Sequence, residues 1–95
     1  MAKREDKTYS DTEEQLDGNQ YNRCVFRNCN LVYGGGGLPT IAYCEFYGCR
    51  WEFRDAASRT VGFMRGLYHG AGEPGRKLME DTFKNIRKAP TQPPQ

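Results

Sequence analysis

The sequence predicts an α+β chain, mainly β, in which a short coil of stacked strand-like steps over residues 14–54 is followed by two amphipathic α-helices. Three observations carry this expectation. Large apolar residues recur every five positions through the first half, four cysteines sit at intervals of five and twenty, and after Phe53 the apolar period changes to about 3.6.

Cut every five residues from Glu14, the chain reads EQLDG, NQYNR, CVFRN, CNLVY, GGGGL, PTIAY, CEFYG, CRWEF. The third residues are Leu16, Tyr21, Phe26, Leu31, Gly36, Ile41, Phe46 and Trp51, large and apolar or aromatic in seven of the eight blocks. Four blocks begin with Cys24, Cys29, Cys44 or Cys49, whose small thiols are readily buried. These blocks resemble the pentapeptide-repeat family, in which a central Leu or Phe and a small residue two positions earlier both point inward. The resemblance covers about forty residues. It implies a short right-handed quadrilateral β-helix of about two turns, four blocks to each square turn. Residues twenty apart then stack, Cys24 over Cys44, Phe26 over Phe46, Cys29 over Cys49 and Leu31 over Trp51. GGGGL departs from the family pattern because Gly36 fills no core, so this turn is expected to bulge as a loop.

Beyond Phe53, the residues Ala57, Val61, Met64 and Tyr68 share one helical face, with Ala56, Thr60, Phe63 and Leu67 beside it. A first helix is expected over 55–69, with Asp55 as N-cap and an end near His69 and Gly70. A second is expected over 75–88 after Pro74, with Leu78, Met79, Thr82, Phe83 and Ile86 forming its apolar stripe. Residues 51–87 also resemble small bacterial and phage proteins with no assigned function, which place the same two helices after a cysteine-rich β segment. That likeness implies a prokaryotic or phage origin and transfers no activity.

Ninety-five residues allow one domain with a modest core, over residues 14–88. Residues 1–13 have no apolar pattern and are expected to be a disordered arm. Residues 89–95, APTQPPQ, are expected to be a proline-rich tail. There is no apolar run long enough for a bilayer and no apolar-centred leader, so a cytoplasmic protein without membrane contact is expected. A formal charge of +2 is too small to imply nucleic-acid binding. The first segment is acidic through Glu5, Asp6, Asp11, Glu13, Glu14 and Asp17. Residues 54–88 carry Arg59, Arg65, Arg76, Lys77, Lys84 and Arg87, so an anionic partner would meet the second half.

The cysteine pairs allow either a four-thiolate zinc site or buried free thiols. The four-residue gap within each pair, without a turn, favours thiols over a zinc knuckle, and no metal or cofactor is expected. His69 is the only histidine and stands at a helix end, where a cation is favoured by the helix dipole. It has no partnered nucleophile, so no catalytic residue is assigned. The segment from His69 to Lys77 is either a plain interhelical turn or an anion site. For the second, Gly70, Gly72 and Gly75 would leave backbone N–H groups open beside Arg76 and Lys77. It lacks the spacing of a nucleotide-hydrolysing phosphate loop. Arg59 and Arg65 on the first helix, with Tyr33 and Trp51 in the β segment, complete the candidate ligand-binding set by offering cations and stacking surfaces. Gly34 to Gly37 form either a loop that closes over a ligand or a tolerated bulge.

Two functions fit these residues. One is a non-enzymatic binding protein, of the kind a phage uses as a sponge, sequestering a small phosphorylated, nucleotide-derived immune signal of the host. The alternative is a protein-interaction module or inhibitor that touches a host protein directly and works as a homodimer. A homodimer is expected because a two-turn coil leaves apolar ends that a symmetric partner would cover.

Overall fold

A computed structural model describes residues 2–88. Nine short strands come first: β1 Lys3–Glu5, β2 Thr8–Ser10, β3 Glu13–Gln15, β4 Gln20–Asn22, β5 Val25–Arg27, β6 Asn30–Tyr33, β7 Thr40–Ala42, β8 Glu45–Tyr47 and β9 Arg50–Phe53. Two helices follow, α1 Asp55–Gly70 and α2 Gly72–Arg87. Each strand pairs in parallel with the strand three later, giving three sheets ordered β1-β4-β7, β2-β5-β8 and β3-β6-β9. The chain therefore passes through the three sheets in rotation three times, one strand of each sheet per turn.

The five-residue frame governs this coil. Every turn consists of three five-residue steps, and the last residue of the first two steps is left-handed: Asp6 and Asp11, Arg23 and Asn28, Tyr43 and Gly48, with φ between 53° and 62°. Those residues turn the corners, and the central residue of each step points inward. Between turns the connections differ. Asp17 and Gly18 make the first and residues 34–38 the second, so the register is offset by 17 residues (Lys3 to Gln20) and then by 20 (Gln20 to Thr40).

The expected stacking is present, with Phe26 opposite Phe46 and Leu31 opposite Trp51. The expected disordered arm is not. Residues 3–15 form the first turn, and their central positions are Arg4, Tyr9 and Glu14. The coil accordingly has three turns rather than two. Leu16, the centre of the block EQLDG, is buried but lies just past β3, where its N–H donates to the Val32 carbonyl at 2.8 Å. The expected proline-rich tail, residues 89–95, lies outside the described residues.

Leu16, Tyr21, Cys24, Phe26, Cys29 and Leu31 make the buried core cluster, all but Leu16 from the middle turn. The thiols are free, and each donates to a backbone carbonyl. Cys24 donates to Arg4 O at 3.4 Å, Cys29 to Arg27 O at 3.4 Å, Cys44 to Ala42 O at 3.4 Å and Cys49 to Phe26 O at 3.4 Å. Burial raises the pKa of the Cys44 thiol, keeping it protonated. Among the described residues no group of three or more His, Cys, Asp or Glu is arranged to hold a metal ion.

Two carboxylate devices tie the turns together. Arg54 donates to Glu52 at 2.6 Å and to Glu13 at 2.9 Å, while Asn30 donates to Glu52 at 3.0 Å and to Glu13 at 3.3 Å. Residues from all three turns thus meet along the β3-β6-β9 sheet. Hydrogen bonds from Arg54 and then Asn30 hold Glu52 down to about 2. The second device is Asp17, whose carboxylate accepts the Gly34 N–H at 2.9 Å, the Gly36 N–H at 2.7 Å and the Gln15 amide at 2.7 Å. These bonds, Gly34's foremost, hold the Asp17 pKa below its ordinary value.

Helix α1 begins with Arg54 at its N-cap position, and no side chain caps it. The expected cap, Asp55, is its first residue, with φ of 53°. α1 ends at Gly70 as the sequence implies. α2 starts three residues before the expected position, leaving Ala71 alone between the helices. Such a tight hairpin requires close backbone approach, and Gly75 provides it. A Cβ there would lie 2.1 Å from the Leu67 carbonyl oxygen. The two helices pack on each other and extend away from the sheets. Among the described residues no helix is long and apolar enough to cross a membrane.

Candidate functional site

The helical hairpin buries only Ala57, Gly75 and Met79. Much of its apolar stripe therefore stays in solvent, with Phe63 67% and Ile86 65% exposed. Phe53 at the end of β9, Val61, Met64 and Tyr68 of α1, and Met79 and Phe83 of α2 line a groove of about 540 Å³. Its walls are hydrocarbon and aromatic. Its lining surface is almost wholly apolar; Arg65 and His69, one helical turn apart, and the Tyr68 hydroxyl are the polar groups at its margin. The His69 ring meets Tyr68 edge to face at 5.2 Å, and among the described residues Arg65 has no ion-pair partner.

A smaller pocket of about 300 Å³ adjoins this groove, sharing Phe53 and Val61 and adding Tyr33, Gly35 and Thr60. The apolar surface also continues onto the coil. Trp51 packs against Phe46 at 4.9 Å between ring centroids yet remains 55% exposed, and Phe53 is 58% exposed. Phe53, which lines the groove, stands two residues beyond Trp51 on β9, so one strand carries both exposed rings.

Of the residues the sequence singles out, the fold gathers some and scatters others. Arg65 and His69 share the groove, Tyr33 lines its neighbour, and Trp51 stands on the coil end. Arg59 is exposed on α1. Gly70, Gly72, Gly75, Arg76 and Lys77 belong to the hairpin turn and do not line the groove. There Arg76 pairs with Glu73 at 3.0 Å and Lys77 with Asp81 at 3.5 Å. Pro74 has no N–H to offer, Gly75 is buried against Leu67, and Glu73 puts a carboxylate in the first turn of α2. An anion meets few free donors at such a turn. The glycine loop at 34–37 is likewise held, by Asp17 and by the Tyr33 hydroxyl, which donates to the Gly36 carbonyl at 2.7 Å.

The groove's main lining, Phe53, Val61, Met64, Tyr68, Met79 and Phe83, goes unmarked as a site by sequence reasoning. The one available signal is excess: two apolar helical stripes follow a coil that already has its own core. Compared with known proteins, the chain matches no family model, no curated protein and no solved structure. Its likeness to pentapeptide repeats stands on the five-residue frame.

Proposed function

We propose that this chain is a non-enzymatic interaction protein that works by direct protein–protein contact through the apolar surface running from the coil end into the hairpin groove. The observation that supports it is the exposed apolar groove of the hairpin, whose lining residue Phe53 shares β9 with the exposed Trp51. Scattered exposed apolar side chains are ordinary, whereas a continuous groove and platform signal a contact site. In this proposal the coil is a right-handed, four-sided β-helix, with the connections at 17–18 and 34–38 as its fourth side. It serves as the rigid base from which the hairpin is presented.

Photo-crosslinking tests this function. A benzophenone side chain placed at Val61 or Phe83 of the full chain is expected to capture protein in the producing cell. The same group at Lys7, on the far end of the coil, is expected to capture little. Equal labelling from the two ends overturns the proposal.

One observation favours sequestration of a nucleotide-derived signal as a second function. Arg65 and His69 stand together at an aromatic-lined groove, where a guanidinium can hold a phosphate while a base packs on Tyr68 or Phe53. Calorimetric titration of the purified chain with a panel of cyclic nucleotides decides it. Binding that Arg65→Ala removes supports sequestration, and absence of heat across the panel rejects it.

A further inference from the structure

The two ends of the coil are chemically unlike. At the first turn the inward positions are Arg4, Tyr9 and Glu14. Arg4 donates to Glu14 and to the Tyr9 hydroxyl at 3.3 Å, and Glu14 also accepts the Tyr21 hydroxyl at 2.7 Å. This polar lid closes the N-terminal end, and its strands carry the charges that discourage edge pairing, among them Lys3, Glu5 and Glu13. The equivalent inward positions of the last turn are Ile41, Phe46 and Trp51. Among the described residues no lid covers Trp51.

The backbone is open at both ends, so the side chains decide between them. In the middle turn Gln20 bonds back to the first turn, its N–H donating to Ala2 O at 2.7 Å, and in the last turn Thr40 bonds back to Asn19 O at 3.0 Å. A parallel ladder alternates sides residue by residue, so the intervening Ile41, Phe46 and Trp51 direct their N–H and C=O groups outward. β7, β8 and β9 are each an edge of their sheet, as β1, β2 and β3 are at the other end, but only the last turn combines its open edges with apolar inward residues.

We infer that a second copy of this chain occupies that end, tail to tail about a two-fold axis, with the contact running on into the hairpin grooves. This rests on the proposed interaction surface and names its first partner. A two-fold across the coil axis reverses strand direction, so the open edges meet as antiparallel strands and the apolar inward residues meet one another. Head-to-tail stacking would instead press the Arg4–Glu14 lid onto Phe46 and Trp51, desolvating charges against apolar rings. It would also repeat without closing. Trp51, Phe53, Val61, Tyr68 and Phe83 expose on the order of 500 Å² between them, before Ile41, Phe46 and the three strand edges are counted. That approaches the ~800 Å² per partner of a standard stable interface.

The full chain contains one tryptophan, Trp51, and it lies in the inferred contact. Sedimentation equilibrium of the full chain is expected to give a dimer mass, and dilution is expected to red-shift Trp51 emission with the same midpoint. Trp51→Lys and Phe53→Lys should each weaken association by roughly 100-fold, as for a central interface residue, while Lys7→Glu at the lidded end leaves it unchanged. Circular dichroism checks that each variant folds. Should Trp51→Lys fail to fold, Phe53→Lys and the wild-type emission shift carry the test. A monomer at every concentration, an open series of masses, or dissociation by Lys7→Glu overturns the inference. A monomer that still crosslinks other proteins through Phe83 overturns it while leaving the interaction surface standing, and loss of all crosslinking from that face removes both.

Discussion

The rings of Phe26 and Phe46 stack 5.1 Å apart and 6° from parallel, and Tyr9 extends the stack below Phe26 at 5.0 Å and 10°. The spacing is close to that of adjacent strands, because each ring rides on the central residue of its own step and the register places those residues in line. Phe26 is sandwiched and fully buried, whereas Phe46 is only partly buried, stacked on Phe26 and flanked at the coil end by the tilted, exposed Trp51. Phe26→Ala should therefore cost about 3–5 kcal/mol and Phe46→Ala distinctly less. Urea denaturation followed by far-ultraviolet dichroism checks the order, and equal losses would contradict the end-to-middle gradient in packing.

Asp17 is the anchor of the glycine loop, so Asp17→Ala should release Gly34 and Gly36 from their shared acceptor. Hydrogen bonds to a charged acceptor contribute on the order of 1–3 kcal/mol. The measurable result is faster amide exchange at Gly34 and Gly36, with the Phe26 amide nearly unchanged. Gly36→Ala should act in the same direction, since its Cβ would lie 2.8 Å from the Asp17 carboxylate.

Acid should loosen the strap along the β3-β6-β9 sheet. Glu52 titrates near 4.5 in its ordinary state and at about 2 when held by Arg54 and Asn30. Over this interval the unfolded chain binds the proton more readily than the folded one, so stability falls as pH drops. The contribution is complete above about pH 4.5 and is lost towards pH 2. Glu52→Gln should start less stable at neutral pH and lose less between pH 5 and about 2, as urea midpoints across that range would register. Parallel pH profiles for the two proteins would assign the acid sensitivity elsewhere, with Glu13 and Asp17 next in line.

Where the coil repeats regularly, its sequence is readable: the cysteine pairs and the rings of Phe26 and Phe46 mark two turns at twenty residues. The first turn escapes this frame for two physical reasons. Asp17 and Gly18 connect it to the next turn where five residues do so later, shifting the phase by three. Two of its three inward positions are also charged, because an end turn needs a lid more than a core, and Arg4 and Glu14 form that lid through each other. The candidate site is less legible still. An amphipathic stripe such as Val61, Met64 and Tyr68 looks the same whether its own core covers it or solvent does. Arg65 and His69 are visible as polar residues on α1, but their convergence on Phe53 depends on where the hairpin departs from the coil. The glycines of the hairpin turn mislead for a related reason, since Gly75 serves backbone approach and not ligand access.

Two glycines of the hairpin should respond in opposite senses to the same substitution. Gly75→Ala would set a methyl 2.1 Å from the Leu67 carbonyl oxygen and 2.7 Å from Ala71 Cβ, contacts that only separation of the helices relieves. A cost of about 1–3 kcal/mol follows from such overpacking, together with faster exchange in α2. Gly66 lies inside α1 with no atom within 4 Å of its would-be Cβ, so Gly66→Ala meets open space. It reduces the freedom of the unfolded chain and should stabilise α1 by about 1 kcal/mol. Thermal melts of the two variants beside wild type are enough. If both substitutions stabilise, Leu67 and Gly75 are not in contact and the hairpin does not close as described. The groove would then lose its α2 wall, Met79 and Phe83, and with it the apolar surface on which the proposed contact depends.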